Sequence, residues 1–270
     1  MSGALRRGDF ARAAARCFHI QALLNPERMQ GLGFGFAILP LLRRIYPESG
    51  PRGAALRRHL AYFATHPVLA GFVVGTAARL EERRAAGEPI SDESIDATKR
   101  ALASPLAALG DPLFWVTLRP LAGLIGVLSL LLIPPPTAGT PDLRVLLCPL
   151  AVLLTYNAVA LPYRLSGVAR GYADGDRPAA LLNSLQLSER NTLFERAGAF
   201  AFGAFLVLAG SKLDFGVSSA GGGAVQRALL LAPLVLGGVV GAAGFRAWPG
   251  RPVEVALAAL AAGGVMAAWV

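Results

Sequence analysis

Five apolar windows, at residues 113–133, 143–162, 197–210, 228–245 and 253–270, restrict what this chain can fold into more than any other feature. Several of them approach the roughly 20 residues that a helix needs to cross a bilayer, although 197–210 is marginal alone. Inside lipid each backbone N–H and C=O must find its partner within the protein, and a helix does this segment by segment. Two shorter apolar stretches, 31–42 and 67–78, read as re-entrant or partly inserted elements. With 54% hydrophobic and 16% charged residues the composition lies beyond the usual range of soluble domains. The expectation is an all-α integral membrane protein, a multi-span helical bundle with re-entrant or broken helices. A single membrane domain is expected over 1–270. Residues 1–100 form its amphipathic, cytoplasm-associated part, and 101–270 carry the spans.

The net charge of +9 does not point to nucleic acid, because the arginines sit in short clusters at the edges of apolar segments and are not interleaved with aromatics. Arg6, Arg7, Arg12 and Arg16 precede the first apolar stretch, which by the positive-inside tendency puts the N-terminus in the cytoplasm. The same run lacks the continuous hydrophobic core of a secretory signal, so export is not expected. Cys17 and Cys148 lie far apart in different surroundings and read as reduced thiols.

Within the apolar half, residues 106–121 set Asp111 between Gly110 and Pro112, with Arg119-Pro120 eight residues on. A charge at bilayer depth costs on the order of 3 kcal/mol, and an interrupted backbone there is tolerated only where protein or a cavity satisfies it. The segment therefore reads as a working part. Eight helical residues rise about 12 Å, so an Asp111–Arg119 salt bridge would need Pro112 to break the helix.

Earlier in the chain, Asn25-Pro26-Glu27 has the chemistry of a helix start, and a helix is predicted from Pro26 to about Arg43. Gly31 and Gly35 give the spacing that lets another helix approach closely. Without a preceding strand or a lysine, Gly31-Leu-Gly-Phe-Gly-Phe36 is a packing surface and not a phosphate loop. Between Arg79 and Arg100, Ser91-Asp-Glu opens a helix ending near Lys99-Arg100. This region reads as a solvated cytoplasmic helix or as a docking surface for a soluble partner.

His19, His59 and His66 share no ligand spacing, so neither a metal nor a cofactor is expected, and no Ser-His-Asp arrangement supports an independent enzyme. His66, just before Pro67, could cap or pack the following helix, or line a pathway. The polar candidates for a pathway are Asn25, Glu27, Gln30, His66, Asp111 and Arg119. Amides and carboxylates accept sugar hydroxyl protons, and Trp115 or Phe114 offers an aromatic face.

Three blocks of this sequence, at 18–33 (FHIQALLNPERMQGLG), 58–67 (RHLAYFATHP) and 105–120 (PLAALGDPLFWVTLRP), resemble in order and interval the signature blocks of a known family. It is the IID component of the mannose/fructose/sorbose family of bacterial phosphotransferase permeases. A weaker similarity runs through Tyr156-Asn157, Arg164, Gly167 and Gly171-Tyr172. The resemblance implies a subunit of the cytoplasmic (inner) membrane that pairs with a IIC subunit, in a higher oligomer of that pair, to conduct a hexose. Soluble IIA and IIB proteins would phosphorylate the sugar on entry, and this chain would carry no phosphorylation site of its own. A membrane scaffold or regulatory sensor derived from such a subunit is the other reading.

Overall fold

The computed structural model describes residues 5–133, 136, 142, 144–175 and 177–212. Nine α-helices and one π-helical segment account for most of these residues. Two isolated bridges, Asn25 with Met29 and Met29 with Phe63, are the only β pairing among the described residues. The helices are α1 (Arg7–Cys17), α2 (Gly31–Ile45), α3 (Ser49–His59), α4 (Ala70–Ala85) and α5 (Asp92–Asp111). After the π-helical segment Pro112–Leu118 come α6 (Arg119–Leu132), α7 (Arg144–Ala173), α8 (Pro178–Leu185) and α9 (Leu187–Lys212). The all-α expectation holds. The windows at 228–245 and 253–270 lie outside the described residues, as do the glycine-rich stretch 216–223 and most of 134–142.

Two compact units divide the chain. One comprises residues 1–116 and 157–190, and the other comprises 117–156 and 191–270. In the first unit α2 packs on α1, α3 and α4, while α5 packs on α4 and α8. Its core is built from Phe34, Ile38, Leu41 and Leu42 of α2 with Phe72, Val73, Val74 and Ala77 of α4, all fully buried. From Ala70 to Ala78 α4 is buried on every face, as a helix apolar all round must be. Glycines let it approach α7 closely. A Cβ at Gly75 would lie 2.0 Å from the Val168 carbonyl oxygen, one at Gly171 would lie 2.0 Å from that of Phe72, and the Thr76 hydroxyl donates to the Gly171 carbonyl at 2.9 Å.

Local chemistry accounts for the ends of the helices. In α1 the Arg6 N–H donates to the Asp9 carboxylate at 3.0 Å, satisfying a donor that the helix leaves open. At α5 the Ser91 hydroxyl accepts from the Ser94 N–H at 3.1 Å, so the expected start is observed. That helix does not stop near Lys99-Arg100. It continues through Pro105 to Asp111, because the apolar face of Leu102 and Leu106 goes on packing into the unit.

The helical run from Asp92 to Leu132 and α7 are both long and apolar enough to cross a membrane. At 1.5 Å per residue, the 30 residues of α7 reach about 45 Å. Its part in the second unit exposes Val145, Leu146, Leu150, Leu153 and Leu154, and α9 exposes Leu193, Phe200 and Phe202. The apolar exterior of α7 suits hydrocarbon and not water, as does that of α9 beyond the exposed Glu195 and Arg196.

Candidate functional site

The helix predicted from Pro26 begins only at Gly31. Asn25 caps something shorter. Its Oδ1 accepts the Arg28 N–H at 2.9 Å, and its main chain exchanges hydrogen bonds with Met29. Met29 takes φ +50°, a left-handed conformation that reverses the chain before α2 can start. Pro26 and Glu27 therefore sit at the tip of a tight loop, with the Glu27 side chain 82% exposed and 3.8 Å from Arg28 Nε.

Gln30 anchors this loop. Its Nε2 donates to the Thr65 carbonyl at 2.8 Å and its Oε1 accepts the Thr65 N–H at 3.1 Å, both buried. Main-chain bonds from Gln30 N to Phe63 O (2.8 Å) and from Phe63 N to Arg28 O (3.3 Å) extend the pairing. The Thr65 hydroxyl in turn donates to Ala103 O of α5 at 2.9 Å. Gly31 and Gly33 allow this approach, since Cβ atoms there would strike the carbonyl oxygens of Ala61 (2.2 Å) and Ile20 (2.0 Å). The glycine run is thus a packing surface: Gly31 and Gly33 lie against the chain leaving α3 and α1, and Gly35 lies against Leu56 of α3 and Leu60 at its end.

His66 follows immediately and is buried. Its Nδ1 accepts the Val68 N–H at 3.3 Å, while Nε2 has no hydrogen-bond partner. The ring stacks on Phe114 (centroids 4.8 Å apart, planes 18°) and meets the Trp115 edge at 5.4 Å. Gly110 makes room for it, as a Cβ there would come within 2.7 Å of the His66 Cβ. Burial, and then the Arg164 charge, pull the imidazole pKa down to about 4, so the ring is neutral at physiological pH.

At Pro112 the helix does not break. The missing N–H is absorbed by widening into the π-helical segment, which buries Phe114 and leaves Trp115 partly exposed. Asp111 is exposed at the end of α5. Arg119 is exposed as well and belongs to the second unit, whereas the other six candidates belong to the first.

One charged centre was missed from the sequence. Glu81 is fully buried and was assigned to a solvated region. Its carboxylate accepts from Arg58 at 2.7 and 3.3 Å, from His59 Nε2 at 2.8 Å and from the Tyr46 hydroxyl at 2.9 Å, and Arg58 also reaches Asp92 at 2.9 Å. Although burial alone would raise its pKa, the His59 and Arg58 bonds win and hold the carboxyl at about 2. The signal was available, because Glu81 follows Val74 and Ala77 at helical spacing on the buried face. Among the described residues no cluster could hold a metal ion, and Cys17 and Cys148 are free thiols.

Residues 4–209 match the family model described as PTS system mannose/fructose/sorbose family IID component. The chain belongs to this IID family. Curated IID relatives include the mannose-specific EIID component of Escherichia coli K12, 40% identical over 63% of this chain and 57% of its own length. The sorbose-specific EIID component of Klebsiella pneumoniae is 38% identical over 63% and 58% respectively. The fructose permease IID component of Bacillus subtilis is 32% identical over 67% and 62%. The chain thus spans about three-fifths of the length of these IID proteins. Among solved structures, a chain of the mannose transporter ManYZ in complex with microcin E492 superposes with a TM-score of 0.57 at 35% identity, over 76% of this chain and 71% of that one. Another, described only as a membrane protein, gives a TM-score of 0.63 at 35% identity over 75% and 70%. IID membership and the two long apolar helices make this a membrane protein.

Proposed function

We propose that this chain is one half of a sugar permease in the bacterial inner membrane. With a IIC subunit it forms the pathway for a hexose of the mannose, fructose, sorbose or glucosamine type. It is multi-pass with a cytoplasmic N-terminus, and soluble IIA and IIB proteins phosphorylate the sugar on entry. It carries no phosphoryl group itself, and the working assembly is a higher oligomer of the IIC/IID pair.

The observation that carries this reading is the convergence of three separate sequence blocks in one unit. Gln30 meets Thr65, Thr65 meets α5, and His66 meets Phe114 and Trp115. Around that convergence the polar groups divide the work. The Glu27 carboxylate, exposed on a loop fixed by Asn25, accepts sugar hydroxyl protons, and Asp111 does the same from the end of α5. The partly exposed Trp115 indole offers its face to the apolar side of the ring. Neutral His66, with Nε2 unpartnered, supplies a further hydrogen-bonding group once the aromatic pair opens. Gln30 has both amide ends engaged by Thr65, so its part is to position the Asn25–Glu27 loop.

The test is phosphoenolpyruvate-dependent uptake of labelled hexoses in a strain lacking its own permeases, with the IIC, IIA and IIB proteins present throughout. Uptake that requires this chain is expected. Equal uptake without it rejects the proposal.

A further inference from the structure

A basic concavity of about 250 Å³ lies between α1 and α2, apart from the convergence described above, and is lined by Asp9, Arg12, Arg16, Pro40, Arg43 and Arg44. Its construction begins with Pro40 in the middle of α2. Proline has no N–H, so the Phe36 carbonyl four residues earlier loses its helical partner. Arg16 takes that place. Its Nη1 donates to Phe36 O at 3.1 Å, and the guanidinium lies over the Phe36 ring, 4.4 Å from the centroid. One side chain is thereby fixed in direction while most of its five donors stay available. Arg12 is held by the Asp9 carboxylate at 2.7 Å and by Gly8 O at 3.1 Å. Arg43, exposed on the last turn of α2, has no carboxylate partner among the described residues.

Arg12, Arg16 and Arg43 thus share the one carboxylate of the lining, Asp9, and that carboxylate also serves the Arg6 N–H. Partial burial first, and then the neighbouring Arg43 and Arg12 charges, pull the Arg16 pKa below its usual range. What relieves such a set is an oxyanion that accepts forked N–H pairs.

We propose that Arg12, Arg16, Arg43 and Arg44 bind a phosphate oxyanion, supplied either by an anionic phospholipid headgroup or as free orthophosphate. The concavity, several times the ~30 Å³ of one water, admits such a group. The positive-inside tendency would bring it to the cytoplasmic leaflet, where anionic headgroups attract basic residues.

The experiment uses the full chain in detergent and native mass spectrometry. Phosphatidylglycerol and phosphatidylcholine of the same acyl length are titrated in turn, and sodium orthophosphate forms a second arm. Phosphatidylglycerol held about tenfold more tightly than phosphatidylcholine identifies the headgroup as source, and binding of orthophosphate with no lipid preference identifies the free anion. In either case the Arg16→Gln/Arg43→Gln double variant is expected to bind about tenfold more weakly. Asp9→Asn, which removes the one opposing charge and keeps an acceptor for Arg6, should bind about threefold more tightly, a gain that misfolding does not produce. Absence of binding in both arms, or affinities unmoved by either variant, overturns the proposal.

Discussion

Removing the Glu81 carboxylate should be among the costliest single changes in the first unit. In Glu81→Ala three neighbours lose a side-chain acceptor at once. Arg58 keeps only the half-exposed Asp92, buried His59 loses its Glu81 bond, and the Tyr46 hydroxyl keeps only the main-chain carbonyl of residue 81 at 3.1 Å. Breaking a buried ion pair from one side costs about 3–5 kcal/mol, most of it the penalty of a stranded charge. The carboxyl's own titration gives a comparable figure. A pKa held at about 2 against the ordinary 4.5 corresponds to about 3 kcal/mol of stabilisation at neutral pH. Because the folded value is depressed, that stabilisation is complete above about pH 4.5 and is lost as pH falls toward 2. His59 acts in the same direction. Burial lowers its pKa, so the unfolded chain takes up a proton near pH 6.5 that the folded chain resists. The assay is thermal unfolding of the purified chain in detergent between pH 3 and 8, for wild type, Glu81→Gln, Arg58→Gln and the double variant. Each single change should lower stability by about 2–4 kcal/mol, with the double change falling short of their sum by about 1.5 kcal/mol or more. Strict additivity, or a Glu81→Gln variant that melts like wild type at pH 7, would refute the reasoning.

Other outcomes follow from the same contacts. Gly75→Ala forces a methyl into the Val168 carbonyl and should cost roughly 3 kcal/mol, seen as a lower melting temperature in detergent. Gln30→Leu leaves the buried Thr65 N–H and C=O unpaired. It should cost about 2–3 kcal/mol and raise the half-saturating sugar concentration for uptake more than it lowers the maximal rate. Pro40→Ala returns a helical partner to the Phe36 carbonyl, so thermal stability should hold or rise by up to about 1 kcal/mol while phosphate binding weakens as Arg16 is released.

Apolar patterning made the helical architecture legible, because hydrocarbon leaves a chain few alternatives. Of those windows, residues 113–132, 144–162 and 197–210 fall inside observed helices. Ser91 as a cap was readable for the same reason, since its chemistry is local. The start of α2 was not. Asn25 could cap a helix or close a loop, and the choice fell to Phe63 and Thr65, more than thirty residues away, which pair with the loop form. At Pro112 local logic foresaw an interruption but could not specify its form, because a π-helical widening and a clean break follow from the same missing N–H. Glu81 was misjudged because its neighbours Glu82, Arg83 and Arg84 gave the segment a solvated composition, which hid one position on the inward face. Gln30 was identified as important, yet its partners are backbone groups of Thr65, and nothing in a side-chain pattern reveals those.

The account rests on a hydrophilic sugar route lined by the polar groups of the first unit, and Asp111 is the residue to test it. Phosphoenolpyruvate-dependent hexose uptake should be compared between wild type and Asp111→Ala, at matched amounts of assembled complex with the IIC subunit. Uptake at background with the complex intact is the result expected; transport at the wild-type rate would contradict the assignment.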